Sequence, residues 1–326
     1  MKNKKILGNG LLLFTALIWG TAFVFQRVGM EKIEPITFSA ARMALAAVMI
    51  GAVAYLTRKR KKTPADTQDH VDAQAPADSQ TVTEQKESKK ESQTESQKEY
   101  RKNTITGGVI CGCLLAVASI LQQAGLVYTT AGKAGFITAM YMLMVPIFGY
   151  IIFKKKSSWL VWLAVLLGVV GMYLLCITDG FYLSTGDALE ALCAVVFAFH
   201  ILCCDRFTRK GDSITISAIQ FAVATVISTI AAFIAETPSW DGIVSALVPI
   251  IYCGIFSGGI GYTLQMVAQK YTEPAIASLL LSMESVFALI AGVILLDESI
   301  SIRELSGCII MFAAIILVQL PKRNNE

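Results

Sequence analysis

Residues 121–140, LQQAGLVYTTAGKAGFITAM, align with residues 264–283, LQMVAQKYTEPAIASLLLSM, at a constant offset of 143. The register pairs Leu121 with Leu264, Gln122 with Gln265, Tyr128 with Tyr271, Thr129 with Thr272 and Met140 with Met283. Polar and aromatic residues match along with the aliphatic ones, so the similarity is more than shared apolar composition. Nearer the N-terminus, ITFSAARM at 36–43 lies over ITISAIQF at 214–221 at an offset of 178. The offset falls by 35 because the first half carries a long connection that the second half reduces to a short turn. The chain reads as two similar halves, 7–178 and 186–320.

The halves are too apolar for a soluble domain. Of 326 residues, 55% are hydrophobic and 16% charged, against about 25% charged in ordinary globular domains. Residues 57–104 hold 20 of the 52 charges, leaving 32 for the other 278 residues. Runs of about 20 apolar residues have the length of a membrane-crossing helix. Ten are read here: 7–26, 35–56, 105–127, 131–153, 158–178, 186–204, 213–235, 242–268, 274–296 and 303–320. Lipid admits only helices and closed barrels, and these runs are too long for barrel strands. The expectation is an all-α polytopic membrane protein with ten transmembrane helices. Five helices per half is an odd number, so the second half starts on the opposite side, as an inverted repeat.

This composition excludes an ordinary soluble enzyme, a secreted disulfide scaffold and a nucleic-acid binder. All eight cysteines, Cys111, Cys113, Cys176, Cys193, Cys203, Cys204, Cys253 and Cys308, fall in apolar runs and read as small buried hydrophobes. No CxxC or Cys/His spacing points to zinc, and no metal or other cofactor is expected.

Orientation follows the basic residues. With the N-terminus inside, the inner segments carry Lys2, Lys4, Lys5, Arg58 to Lys62, Lys154 to Lys156, Arg206, Arg209, Lys210, Lys270, Lys322 and Arg323. The outer connections hold Lys32, Lys133 and Arg303, with Arg27 near the outer end of the first helix. Both termini are thus expected in the cytoplasm. MKNKK precedes a run of full spanning length without a small-residue cleavage site, so it reads as an uncleaved first helix. Residues 57–104, rich in Ser, Thr, Gln, Glu and Lys, are expected to be a disordered cytoplasmic loop.

Inverted repeats of this kind bind cargo near the bilayer midplane, between the halves. At about 1.5 Å of rise per residue, Trp19, Tyr141, Phe197 and Glu284 fall near mid-depth, and His200 lies within a turn of Phe197. A charge there costs roughly 2.5–3.5 kcal/mol on insertion scales, so Glu284 must face a cavity or a partner. It reads either as a proton carrier or counter-ion for a cationic substrate group, or as an interhelical hydrogen-bonding group. Arg42 is open to partnership with a carboxylate or headgroup and equally to a structural role. Gln122 and Gln265 occupy mirrored depths and read as gates or as interhelical hydrogen-bonding groups.

Trp19–Gly20, Pro35 and Arg42 resemble the start of an EamA repeat. So does GYTLQMVAQKYTEPAIASLLLSMESVFALIAGVILLDESIS at 261–301, within which the family often shows LEP-V-F-A followed by G-E. The resemblance covers both halves and implies the drug/metabolite transporter superfamily, whose cargoes are amino acids, other small metabolites and drugs. It departs at Ser285, where the family often has proline, and at Lys154–Lys156, where an acidic residue is expected.

The chain is therefore read as a secondary transporter of a small metabolite in the cytoplasmic membrane of a bacterium, with lipid, cargo and protons as its partners. It lacks a Walker-type GxxxxGK[ST] motif and a converging catalytic set, so it is not expected to be an enzyme. The alternative is a membrane scaffold or sensor recruiting a partner through 57–104.

Overall fold

A computed structural model describes residues 2–62, 79–128, 131–154, 156–176, 184–296 and 301–319. Among them every regular element is helical. In chain order these are α1 (Lys2–Met30), α2 (Pro35–Lys62), α3 (Ser79–Leu126), α4 (Ala131–Ala139), α5 (Tyr141–Phe153), α6 (Trp159–Cys176) and α7 (Thr185–Thr208). There follow α8 (Ser213–Ala235), α9 (Trp240–Ser245), α10 (Leu247–Ile251), a π-helical segment (Tyr252–Gly261), α11 (Tyr262–Ala268), α12 (Pro274–Leu281), α13 (Glu284–Leu296) and α14 (Ile302–Gln319).

The surface is apolar and the interior carries the polar groups. Val48, Phe233, Ile234, Ile294, Ile302 and Ile316 face outward, whereas Gln26, Arg42, Glu190, His200, Gln220, Gln265 and Glu284 are buried. Large exposed aliphatic faces are unfavourable in water and favourable in lipid. Seven helical stretches are long and apolar enough to cross a membrane: Lys4–Met30, Pro35–Thr57, Thr94–Leu126, Thr185–Thr208, Ser213–Ala235, Leu247–Ala268 and Pro274–Leu295. The other expected spans, 131–153, 158–178 and 303–320, coincide with shorter helices: α4 with α5, α6, and α14.

The segment 57–104 differs from expectation where it is described. Helix α2 runs on to Lys62, and α3 is already helical at Ser79. Residues 79–104 contain neither Gly nor Pro, and acid-base spacings such as Glu95–Lys98 and Glu99–Lys102 favour a helix continuing from the span. Low hydrophobicity prevents such a segment from building a core, but not from extending a neighbouring helix. Residues 63–78, and Asp297 and Glu298 after α13, lie outside the described residues.

Helix starts follow local chemistry. Ser184 and Asp187 form a reciprocal capping box on α7, Asp212 caps α8 through Thr215 N, and Pro274 opens α12. The first turn of α2 is capped from a distance: Ile36 N and Thr37 N donate to Glu236 Oε1 and Oε2 at 2.8 and 2.7 Å. Glu236→Ala should therefore cost about 1 kcal/mol, the usual value of an N-cap, read as a lowered unfolding midpoint in detergent.

Two helical pairs are broken at related places. Between α4 and α5, Met140 N bonds Ile137 O and Leu143 N bonds Met140 O, three-residue steps that tighten the turn. Between α12 and α13, Met283 N bonds Leu280 O and Ser285 N bonds Ser282 O in the same way. The second break forms without proline at 285; Ser278 and Ser282 instead turn their hydroxyls back onto Ala275 O and Leu279 O.

Helix α3 packs on α7 and α8, α1 on the π segment, α11 and α13, α2 on α8, and α6 on α14. The close approaches recur at fixed spacings. A Cβ on Gly8 would stand 3.2 Å from Ala268 O and 3.3 Å from Tyr271 Cβ; one on Gly186 would stand 2.7 Å from Gly125 O and 3.0 Å from Tyr128 Cβ. The glycines are 178 residues apart and their neighbours 143. Likewise Gly254 meets Arg42 O and Leu45 Cβ, and Gly112 meets Gln220 O and Val223 Cβ. Here the neighbours differ by 178 but the glycines by 142. Most of the π segment, which ends at Gly261, lies after Gly254 and before residue 264, and a π turn takes in an extra residue, which accounts for the step from 142 to 143.

Basic groups gather at one end of the bundle. Lys4 Nζ lies 5.9 Å over the Tyr271 ring, Arg206 5.6 Å over Phe153, and Arg209 reaches Lys270 O at 3.4 Å. At the other end of α1, Thr237 N donates to Glu34 Oε2 at 2.9 Å.

Candidate functional site

A cavity of about 40 Å³ lies inside the bundle. Trp19, Arg42, Gln122, Tyr141, Phe197, His200, Gln265 and Glu284 all line it. The eight candidate residues come from seven helices, α1, α2, α3, α5, α7, α11 and α13. Depth along each helix placed four of them at one level; the fold also turns them toward one another.

The two helix breaks supply the centre. Tyr141 is the first residue of α5 and Glu284 the first of α13. Tyr141 Oη donates to Glu284 Oε1 at 3.0 Å, joining residues 143 apart. Both side chains are buried.

Aromatic rings form the walls. Trp19 and Tyr262 lie 4.5 Å apart between centroids, Tyr141 meets Phe197 edge-on at 6.5 Å, and His200 meets Tyr262 edge-on at 5.9 Å. Trp19 is held by Nε1 donating to Ser257 O at 3.1 Å, a carbonyl of the π segment.

One part of the wall is cationic. Arg42 Nη1 donates to Gln26 Oε1 at 2.7 Å, and Gln123 Nε2 donates to the same oxygen at 3.1 Å. Arg42 thus pairs with an amide, and its guanidinium lies 5.8 Å over Phe38. Buried Arg42 Nε and Gln265 Oε1 have no hydrogen-bond partner among the described residues. Unpaired buried donors and acceptors are uncommon, and in a cavity wall they are groups that a bound molecule can satisfy. On another part of the wall, His200 Nε2 bonds Gln220 Oε1 at 3.1 Å.

The comparisons with known proteins agree with this architecture. The EamA-like transporter family matches residues 6–71, 88–177 and 184–320. The chain belongs to the EamA-like transporter family. An uncharacterized transporter of Archaeoglobus fulgidus is 30% identical over 214 residues, 64% of this chain and 68% of its own. The uncharacterized transporter YoaV of Bacillus subtilis is 20% identical over 311 residues, 94% of each chain. A solved crystal structure superposes with a TM-score of 0.71 at 15% identity, covering 98% of this chain and 97% of that one; this likeness concerns the fold alone.

In this EamA-like transporter the structure adds groups that sequence reasoning missed. Glu190, fully buried on α7, accepts from Thr138 Oγ1 at 2.6 Å, and Thr138 lines the cavity. Its Oε1 has no partner. The signal was present as a second acid in GDALEAL, one turn inside the Asp187 cap. Tyr262, Gln26 and Ser257 also line the cavity. The cysteines are not all isolated either: Cys111 and Cys204 meet His200 within the bundle.

Proposed function

We propose that this chain is a secondary transporter that carries a small zwitterionic or amphipathic metabolite, of amino-acid or drug type, across the cytoplasmic membrane by alternating access. The Tyr141–Glu284 hydrogen bond carries this reading, because it joins the two halves at the helix breaks beside the cavity. The recurring glycine contacts at 178 and about 143 residues support treating 7–178 and 186–320 as inverted halves able to exchange conformations. Arg42 offers a cation for a carboxylate and Glu284 a carboxylate for an ammonium, with aromatic walls for an apolar body. Glu284, charged, holds the substrate ammonium; on taking up a proton it releases it, which couples flux to the proton gradient.

The reading is tested by untargeted metabolomics of cells with and without the protein, followed by exchange of the metabolites found in reconstituted vesicles. Counterflow of one metabolite class is expected; metabolite pools that do not differ between the two cell lines would overturn it. The clustering of Lys4, Arg206, Arg209 and Lys270 at one end supports an inward-facing basic end, with both termini in the cytoplasm. Single cysteines at Lys32, Ser239 and Ser301 should then label from outside intact cells. Labelling only after permeabilisation would reverse the topology.

A further inference from the structure

We propose that Cys111, His200 and Cys204 form a buried site for a divalent thiophilic metal ion of the zinc class, set in the wall of the transport cavity. The proposal is independent of the cargo and of the transport cycle. The three ligand atoms lie within 4.8 Å of one another, and all three residues are buried. His200 and Cys204 are four residues apart on α7 and share one face, one above the other. Cys111 comes from α3.

The spacing suits a metal better than a disulfide. Zinc binds sulfur at about 2.3 Å and imidazole nitrogen at about 2.0–2.1 Å, so a tetrahedral site has S···S edges of about 3.8 Å and S···N edges of about 3.6 Å. The Cys111 and Cys204 sulfurs are 3.9 Å apart, and Cys204 Sγ is 3.6 and 3.7 Å from the two ring nitrogens of His200. A disulfide needs about 2.05 Å between sulfurs, against the 3.9 Å between these two.

A second observation points the same way. Gln220 Oε1 holds His200 Nε2 at 3.1 Å, which leaves Nδ1, 3.7 Å from Cys204 Sγ, as the ring nitrogen free to ligate. Gln220 is fully buried and its Nε2 has no partner, so the amide orients the imidazole at the cost of an unpaired donor. Such an outer-shell hydrogen bond is a usual companion of a metal-bound histidine. Binding exchanges two thiol protons, released to water, for one divalent cation. Two thiolates, a neutral imidazole and the ion then sum to zero charge, the state that an apolar interior tolerates.

The test uses the full-length protein, purified in detergent under reducing conditions and titrated with Co²⁺, followed by competition with Zn²⁺. One equivalent of Co²⁺ should bind with thiolate-to-cobalt charge-transfer absorbance that Zn²⁺ abolishes. Cys111→Ser and Cys204→Ser should each weaken binding by at least tenfold, and Gln220→Ala by about 10–100-fold, the effect of losing an outer-shell partner. Cys113→Ser, at an exposed thiol two residues from Cys111, should leave the titration unchanged. Wild-type protein without the charge-transfer band overturns the proposal without any variant having to fold. A band that persists in both Cys111→Ser and Cys204→Ser overturns it as well.

Discussion

Glu284→Gln should abolish coupled transport while leaving the protein folded in the membrane. Glutamine keeps the volume and retains an oxygen to accept from Tyr141, so the 3.0 Å contact across the helix breaks can persist. What disappears is the charge and the exchangeable proton. Among the described residues lining the cavity, Glu284 is the carboxylate. Glu190 is another buried carboxylate, but its hydrogen bond is to Thr138 on α4. Tyr141→Phe tests the same pair more gently. It removes one hydrogen bond to a charged group, about 1.5–3 kcal/mol, so substrate or proton affinity at the site should change by about tenfold or more. Both are measured as initial flux in vesicles against a proton gradient. Wild-type flux in Glu284→Gln would remove the residue from the mechanism.

Gly20→Val should prevent accumulation of folded protein. A Cβ at Gly20 would lie 2.5 Å from Phe287 Cβ, 2.6 Å from Glu284 O and 2.7 Å from Ala288 N. Two of these are backbone atoms of α13, so α1 itself must move away, and with it Trp19. Overpacking typically costs about 1–3 kcal/mol for one added group, the expectation for Gly20→Ala, and valine adds two more methyl groups. Gly10 and Gly51 are the controls. Nothing lies within 4 Å of a Cβ at either, so alanine there should be neutral or stabilising through helix propensity, by up to about 1 kcal/mol. Thermal unfolding followed by size-exclusion chromatography separates the cases. A melt of Gly20→Val equal to wild type would refute the packing at this crossing.

Membrane character and the candidate site were legible in the sequence because each depends on quantities that a linear reading can measure. Apolar length and charge placement mark the spans, and depth along a helix put Trp19, Tyr141, Phe197 and Glu284 at one level. The offset of 143 also relates Tyr141 to Glu284. Rotation about each helix axis was not legible, and rotation decides contacts. Arg42 was open to a carboxylate and finds Gln26; Glu190 passed unnoticed beside the Asp187 cap; Cys111 lies 93 residues from Cys204 and meets it only in the fold. The helix over 79–104 was missed because polarity was read as disorder, although that stretch lacks any helix breaker. The breaks at Met140 and Met283 carry no proline and were hidden for that reason.

Alternating access requires a central cavity that opens to each side of the membrane in turn. Ser257→Cys places a thiol of nearly native size in the wall of that cavity, in a background whose native cysteines are replaced. Membrane-impermeant maleimide is applied separately to the outside and to the inside of oriented vesicles. Alternating access predicts modification from both faces, with cargo added to one face slowing both reactions. Modification from one face only would contradict it.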